Sequence, residues 1–271
     1  MTTLKKCRMK KPCASWLAGL IEGDGYTDER HVELYNSSES LLLNSLRVFK
    51  SLNVPLERIR IDVYSDDPNT GMISRWSKTL DLPSANFKLR RNTSPWKSRT
   101  EKLRLRVASK EFANVVNSEI LNPKNVDAYV AGLFDAEASV DIKGYIEFKQ
   151  VNNGKGPEIV RKVHEIITSR GLRTTDVRIK NDMGIKQDAY FYVKDVEKYG
   201  EMFGFFDERK REKLDILSRI RKANKKPELE KLKKLISENK GYWDILSELN
   251  SPYHRVRELI KSNRLTIRQT R

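Results

Sequence analysis

Cysteine is scarce in this 271-residue chain: only Cys7 and Cys13 occur, both near the start and with no histidine beside them. Two such cysteines make no zinc site, and the scarcity predicts a reduced intracellular protein, cytoplasmic or organellar. Long apolar runs are missing too. No stretch of 18 apolar residues occurs, so neither a spanning helix nor a membrane partner is expected. Lys5, Lys6, Arg8 and Lys10 lie in the first ten residues, yet no apolar segment follows to make a secretory signal. Acid is outnumbered as well, with 37 Asp and Glu against 53 Lys and Arg and a formal net charge of +16. Such a balance favours a polyanionic partner, nucleic acid first. A structural nucleic-acid binder would share it, so charge alone does not imply an enzyme.

What is present is a doubled motif. Ser15-Trp16-Leu17-Ala18-Gly19-Leu20-Ile21-Glu22-Gly23-Asp24-Gly25 is matched by Ala128-Tyr129-Val130-Ala131-Gly132-Leu133-Phe134-Asp135-Ala136-Glu137-Ala138. Each is an apolar helical run that closes on an acid. Small residues recur four apart, at Ser15, Gly19 and Gly23 and again at Ala128, Gly132 and Ala136, which places them on one helix face. Such stripes let two backbones approach closely. Glycine in a helix costs about 1 kcal/mol relative to alanine, so Gly19, Gly23 and Gly132 need a packing reason. If the helices pack along these stripes, Asp24 and Glu137 meet at the same end, and two carboxylates together suggest a divalent metal site. Glu22 and Asp135, two residues earlier, point elsewhere on their helices and are not read as ligands.

The segment from Leu17 to Gly25 resembles the signature of the LAGLIDADG homing endonucleases, and Val130 to Ala138 its second copy, with Ala138 where the family usually has glycine. The resemblance covers roughly residues 12–222. It implies an α+β fold of two αββαββα repeats, forming a DNA-binding saddle around a central two-helix interface. It also implies a monomer with pseudo-twofold symmetry.

The rest of the chain agrees with a repeat. Val32 to Asn36, Arg58 to Val63 and Lys102 to Val107 alternate apolar and polar residues, as half-buried strands do. Ile146 to Gln150, Asp176 to Ile179 and Ala189 to Val193 match them in the second half. The offset between matched strands falls from 118 to 86, which places a 32-residue insertion within 65–101 of the first half. That insertion carries Arg75, Lys88, Arg90, Trp96, Lys97 and Arg99, and reads as a hairpin extending a basic surface, with an added strand at Phe87 to Arg90. The organisation expected is a basic leader at 1–14, a first repeat at 15–122, a second at 123–222 and a helical extension at 228–271. In the tail from 222, 13 Lys and Arg face 6 Asp and Glu. Tyr242 to Leu249 reads as a helix and Asn250-Ser251-Pro252 as a turn, with Ser251 as N-cap and Pro252 as first helical residue. A helix over 253–262 follows, making a helix-turn-helix pattern with Arg255 and Lys261 off its apolar stripe. A tail packed on the core with a solvated basic face is the alternative.

Hydrolysis of a phosphodiester needs an activated water and neutralisation of charge on the phosphate and leaving oxygen, which carboxylates holding Mg²⁺ can supply. Asp24 and Glu137 are the expected ligands, helped by the carbonyls of Gly23 and Ala136, with Mn²⁺ a substitute for Mg²⁺. The family places further polar groups around the reacting water. By position these are Asn36 and Gln150, at the ends of the first strand of each half, and the lysines Lys124 and Lys210. Contacts to double-stranded DNA fall to outward strand residues: Glu33, Tyr35, Arg58, Arg60, Lys88, Arg90, Arg104 and Arg106 in the first half. Glu147, Lys149, Arg178, Lys180, Tyr190 and Tyr192 serve in the second. Arginine can read guanine, and glutamate can accept from cytosine. Because the halves differ, the target is expected to be an imperfect palindrome, hydrolysed on both strands. No intein splicing residues are evident, so a freestanding or intron-encoded enzyme is expected. An RNA-binding maturase acting on its host intron, and a regulator that binds DNA without cutting, are the alternatives.

Overall fold

The computed structural model describes residues 11–92, 101–151, 155–182 and 186–267. The leader up to residue 10, and Trp96, Lys97 and Arg99 of the insertion, lie outside the described residues.

The chain is α+β. Its first part runs α1 (Ala14–Asp24), β1 (Gly25–Thr27), β2 (His31–Asn36), α2 (Glu39–Ser51), β3 (Ile59–Ser65), α3 (Thr70–Leu80), β4 (Phe87–Arg91), β5 (Lys102–Ala108) and α4 (Lys110–Leu121). A second run follows: α5 (Val126–Glu137), β6 (Ala138–Asp141), β7 (Tyr145–Val151), α6 (Gly156–Ser169), β8 (Arg178–Asp182), β9 (Lys186–Val193), α7 (Val196–Met202) and α8 (Glu208–Ala223). The sheets are ordered β1-β2-β5-β3-β4 and β6-β7-β9-β8, the same order once β4 is set aside. The insertion is therefore α3 plus an edge strand, and the hairpin reading is corrected. β4 pairs with β3 in parallel, Ile61 opposite Phe87, and a parallel pair needs a crossover rather than a tight turn. α3 supplies it and buries Trp76 and Leu80 beneath.

Two compact units result. One runs to Glu137 and takes in Phe203–Glu208; the other holds Ala138–Met202 and the chain from Arg209 onward. α5 opens the second run of the sequence, yet it belongs to the first unit because it packs on α1. The core of the first unit lies between the helices and the apolar face of its sheet, where Trp16, Leu20, Leu34, Leu42, Ile61 and Leu105 are almost fully buried. In the second unit Ile146, Phe148, Phe191 and Val193 of the sheet are buried, as are Val160, Val163 and Ile167 of α6.

A separate apolar cluster closes the second unit. Ile220 joins Leu232 and Leu235 of α9 (Leu229–Ser237), Ile245, Leu246 and Leu249 of α10 (Tyr242–Leu249), and Val256 and Ile260 of α11 (Tyr253–Ser262). α10 and α11 stand where the sequence placed them; α9 lies within the extension expected to be helical but was not singled out. The turn differs in detail. Pro252 flanks α11 with extended ψ 146°, and Asn250 takes the left-handed conformation, φ 49°, that ends α10. The Ser251 hydroxyl donates to the Lys225 carbonyl at 2.8 Å instead of capping α11. Among the described residues no helix is long and apolar enough to cross a membrane.

Candidate functional site

α1 and α5 touch along their small-residue stripes, and the contact is reciprocal. A Cβ on Gly19 would stand 2.0 Å from the Tyr129 carbonyl oxygen; one on Gly132 would stand 2.0 Å from that of Trp16. Both pairs are related by the same step of 113 residues that relates the two motifs. Glycine is present here because the backbones have closed into the space a methyl would fill.

The two acids not read as ligands tie the helices together. Asp135, 1% exposed, accepts from Trp16 Nε1 at 2.8 Å and from the backbone amides of Phe206 and Asp207 at 3.0 and 2.9 Å. Reciprocally, Glu22 accepts from the Tyr129 hydroxyl. Burial, then the Glu22 charge, pushes the Tyr129 phenol well above its ordinary pKa and keeps it a donor. Trp16→Phe should destabilise the chain by about 2 kcal/mol, because Asp135 is buried and loses a charge-assisted bond. Tyr129→Phe should cost under about 1 kcal/mol, because half-exposed Glu22 can turn to water. Urea midpoints of the two variants check this; equal losses would contradict it.

At the C-terminal ends of the helices the Glu137 side chain lies against Gly23, the residue before Asp24. A Cβ on Gly23 would lie 2.4 Å from Ala136 Cβ, 3.1 Å from Glu137 Cγ and 3.3 Å from Glu137 Oε1. The Glu137 side chain thus occupies the space that glycine leaves open beside Asp24. Asn36, at the end of β2, donates from Nδ2 to Asp24 Oδ2 at 2.8 Å. Its own Oδ1 accepts the Ser38 amide at 2.7 Å, which fixes the direction of the amide group. Gly25 has extended backbone, φ −135°, and leads straight into β1. Its counterpart Ala138 leads straight into β6 and pairs with Phe148, so alanine meets no backbone strain there.

Among the described residues no three His, Cys, Asp or Glu side chains gather into a metal cage. Mg²⁺ does not require one. It keeps several waters and is held by one or two carboxylates together with substrate phosphates. Asp24 and Glu137, on either side of the Gly23–Ala136 contact, fit that requirement.

The remaining predicted residues divide. Lys124 does not reach the acids. It precedes α5, at the opposite end from Glu137, and the helix between them rises about 18 Å. Its amide instead donates to buried Glu119 at 3.0 Å, which also accepts from the Ser15 hydroxyl at 2.6 Å. Gln150 and Lys210 belong to the second unit. Gln150 faces Ala189 on β9 just as Asn36 faces Leu103 on β5, and its buried Nε2 has no hydrogen-bond partner among the described residues. Lys210 lies in the first turn of α8 and is half-buried.

The outward residues of each sheet do share a face. In the first unit Glu33, Arg106 and Arg60 form one row across the strands, and Tyr35, Arg104, Asp62 and Lys88 the next; Arg90 stands beside Tyr64 beyond it. Arg58 ends a short turn ahead of β3 and reaches Glu111 at 3.4 Å. Asp62, 8% exposed, was missed by sequence reasoning: it binds both Arg90 and Arg104. Burial works against the charged form of Arg104, but hydrogen bonds with Tyr35 and Asp62 outweigh it and raise its pKa. Burial, then a hydrogen bond to Glu33, raises Tyr35. In the second unit the facing rows are Glu147 with Tyr192, Lys149 with Tyr190 and Arg178, and Lys180 with Asp188. Here the face is aromatic: Tyr145 and Tyr192 rings lie 4.5 Å apart, and Tyr190 and Tyr192 rings 5.5 Å. Burial, then the Asp141 charge, pushes Tyr145 up to about 12.

On α11, Arg255 is spent on structure, with Nη1 donating to the Asn224 carbonyl at 2.6 Å. Lys261 is exposed and lines a cleft of about 760 Å³ together with Lys143, Arg221, His254 and Arg257, opposed by Glu258.

No known family model matches the chain. Among solved structures, mesophilic variants of the homing endonuclease I-DmoI are similar to it with a TM-score of 0.44 and 18% identity, covering 70% of this chain and 94% of that one. I-DmoI in complex with DNA and Mn gives 0.44 and 18%, covering 70% and 95%. Full-length DUF199/WhiA from Thermatoga maritima gives 0.41 and 14%, covering 93% of this chain and 92% of that one.

Proposed function

We propose that this chain is a site-specific endonuclease of the LAGLIDADG type that hydrolyses both strands of a long, imperfectly palindromic DNA duplex. It acts as a monomer, uses Mg²⁺ with Mn²⁺ able to replace it, and is intron-encoded or freestanding. The observation that supports this reading is the Glu137 side chain lying against Gly23, the neighbour of Asp24, with Asn36 bonded to Asp24. A pure binder does not need two such acids.

Asp24 and Glu137, with the carbonyls of Gly23 and Ala136, are the groups that would hold the cation. Bound there, Mg²⁺ would acidify a water and neutralise charge on the phosphate and leaving oxygen. Asn36 sets the direction of the Asp24 carboxylate, so the site is oriented before substrate arrives. Gly23 keeps the acids close by presenting no side chain between them. Gln150 is retained as the counterpart of Asn36 on register, and Lys210 as a phosphate-binding or water-orienting lysine; Lys124 is withdrawn. The two sheet faces would hold the duplex, arginine-rich in one unit and tyrosine-rich in the other.

The test is cleavage of a randomised plasmid library in Mg²⁺. Recovery of a single cut sequence family supports the proposal, and no cutting by the intact chain overturns it. A second reading, a nucleic-acid binder that does not cut, draws on the α9–α11 cluster and its basic cleft. Arg257→Glu with Lys261→Glu should weaken DNA binding and make the plot of log affinity against log salt about two units less steep, as expected for two lost phosphate contacts. An unchanged slope would mean that this cleft meets no phosphates.

A further inference from the structure

We propose that Asp62 and Glu33 are positioning residues that aim Arg90 and Arg106 at two guanines in one half of the target, a proposal that rests on the DNA-cutting reading above. The two carboxylates do not serve as base readers themselves. Glu33 Oε2 accepts from the Tyr35 hydroxyl at 2.6 Å, and Oε1 lies 3.3 Å from Arg106 Nε. Asp62 Oδ1 accepts from Arg90 Nε at 3.1 Å, and Oδ2 accepts from Arg104 Nε at 3.0 Å and from Arg104 Nη2. Their side chains are only 12% and 11% exposed. An acid with both oxygens engaged and so little exposure cannot accept from cytosine without breaking what it already holds.

The three arginines then separate by role. Arg104 has two of its nitrogens on Asp62 and a third 4.0 Å from Glu33, with its side chain 22% exposed. It is a strut between the two acids. Arg90 and Arg106 are about twice as exposed, at 41% and 40%, and each is held at Nε. No other hydrogen bond or ion pair engages them among the described residues. The Arg106 contact is an ion pair whose N–H is not aligned for a hydrogen bond, so charge and packing hold it. An arginine fixed at Nε presents its two Nη groups outward as a fork, the edge that matches guanine O6 and N7. Holding the fork before binding also removes the ordering cost that a free arginine meets on binding.

The register sets the spacing. Arg106 pairs with Arg60 on β3, and Arg90 pairs with Tyr64 on the same strand, four residues along. Two strand spacings across and four residues along give about 16 Å between the two backbones. At about 3.4 Å per base step, the two guanines should lie about five base pairs apart.

The experiment is equilibrium selection from a randomised duplex library with the full chain and no divalent metal, so that cutting plays no part. Two guanine positions in one half-site, about five base pairs apart, are expected, each worth about 10- to 100-fold in binding. Arg90→Lys and Arg106→Lys should each erase one of them. Asp62→Asn should weaken the Arg90 position about tenfold, and Glu33→Gln the Arg106 position, while affinity for unrelated DNA holds or rises because a negative charge has gone. A residue that only stabilised the sheet would lower all binding together. The lysine variants remove no buried group, so they keep the test decisive should Asp62→Asn fail to fold. Guanine preferences that survive in these variants, or no guanine pair at all, would overturn the proposal. Selection of no sequence at all would instead strike at the DNA-cutting reading itself.

Discussion

Asp24→Asn or Glu137→Gln is expected to slow cleavage by about 10³-fold or more while leaving DNA affinity within about threefold. Each change keeps the shape of its side chain and removes one negative charge. The Asn36 amide can still donate to the oxygen of an asparagine at position 24, so the fold around the site should survive. What is lost is charge where a divalent cation would be held, and two carboxylates leave no reserve: no larger cluster of ligands stands nearby among the described residues. Asn36→Ala, which removes the amide that donates to Asp24, should cost less, about 10- to 100-fold. Single-turnover cleavage of the selected target, beside binding in the absence of metal, separates the two quantities. If Asp24→Asn cuts as fast as the intact chain, the carboxylate pair is structural and cleavage is carried by other groups.

The parts of this site legible in the sequence were those carried by local periodicity. Four-residue spacing put Gly19 and Gly132 on facing stripes, and the acid closing each stripe fell at the shared end. Period-two alternation placed Arg60, Arg104 and Arg106 on one face before any register was known. What escaped depends on which distant strands or helices meet. Asp62 breaks the basic pattern of its strand, and its partners Arg90 and Arg104 lie 28 and 42 residues away. That Trp16 and Tyr129 each donate to an acid of the other helix is not legible in the sequence, although the same step of 113 relates the two bonds. Lys124 shows the converse error, since a residue adjacent to a motif in sequence can lie a whole helix away from the acid that closes it. α9 had a usable signal in Leu229, Leu232, Leu235 and Ile236, set among charged neighbours within the extension read as helical.

The helix contact itself yields the largest expected change in stability. Gly19→Ala places a methyl 2.0 Å from the Tyr129 carbonyl oxygen and 3.0 Å from the Leu133 amide nitrogen, both backbone atoms that cannot turn aside. α1 and α5 must move apart, and with them the closely packed residues on either side. Overpacking typically costs about 1–3 kcal/mol and occasionally more, and a clash with backbone at 2.0 Å belongs above that range, at about 4 kcal/mol. The intrinsic gain from replacing a helical glycine, about 1 kcal/mol, offsets only part of it. A net loss of about 3 kcal/mol is expected, a large share of a domain's usual 5–15 kcal/mol. Gly132→Ala should match it, since its methyl would meet the Trp16 carbonyl at the same 2.0 Å. Gly23→Ala differs in kind. Its methyl meets Ala136 Cβ at 2.4 Å, an atom fixed to its backbone, and Glu137 Cγ at 3.1 Å, part of a side chain that can turn. Its stability loss should therefore be smaller than at 19 and 132, about 1 kcal/mol, because the contact is longer and meets no carbonyl oxygen. Its cleavage rate should fall about 100-fold, because the atom displaced is in the Glu137 side chain and a shift of about 1 Å at a reacting site costs that much. Urea unfolding and single-turnover cleavage of the three variants give a crossed pattern if glycine serves packing at 19 and 132 and chemistry at 23. Equal stability losses at all three positions would mean that the acids meet only as a by-product of helix packing.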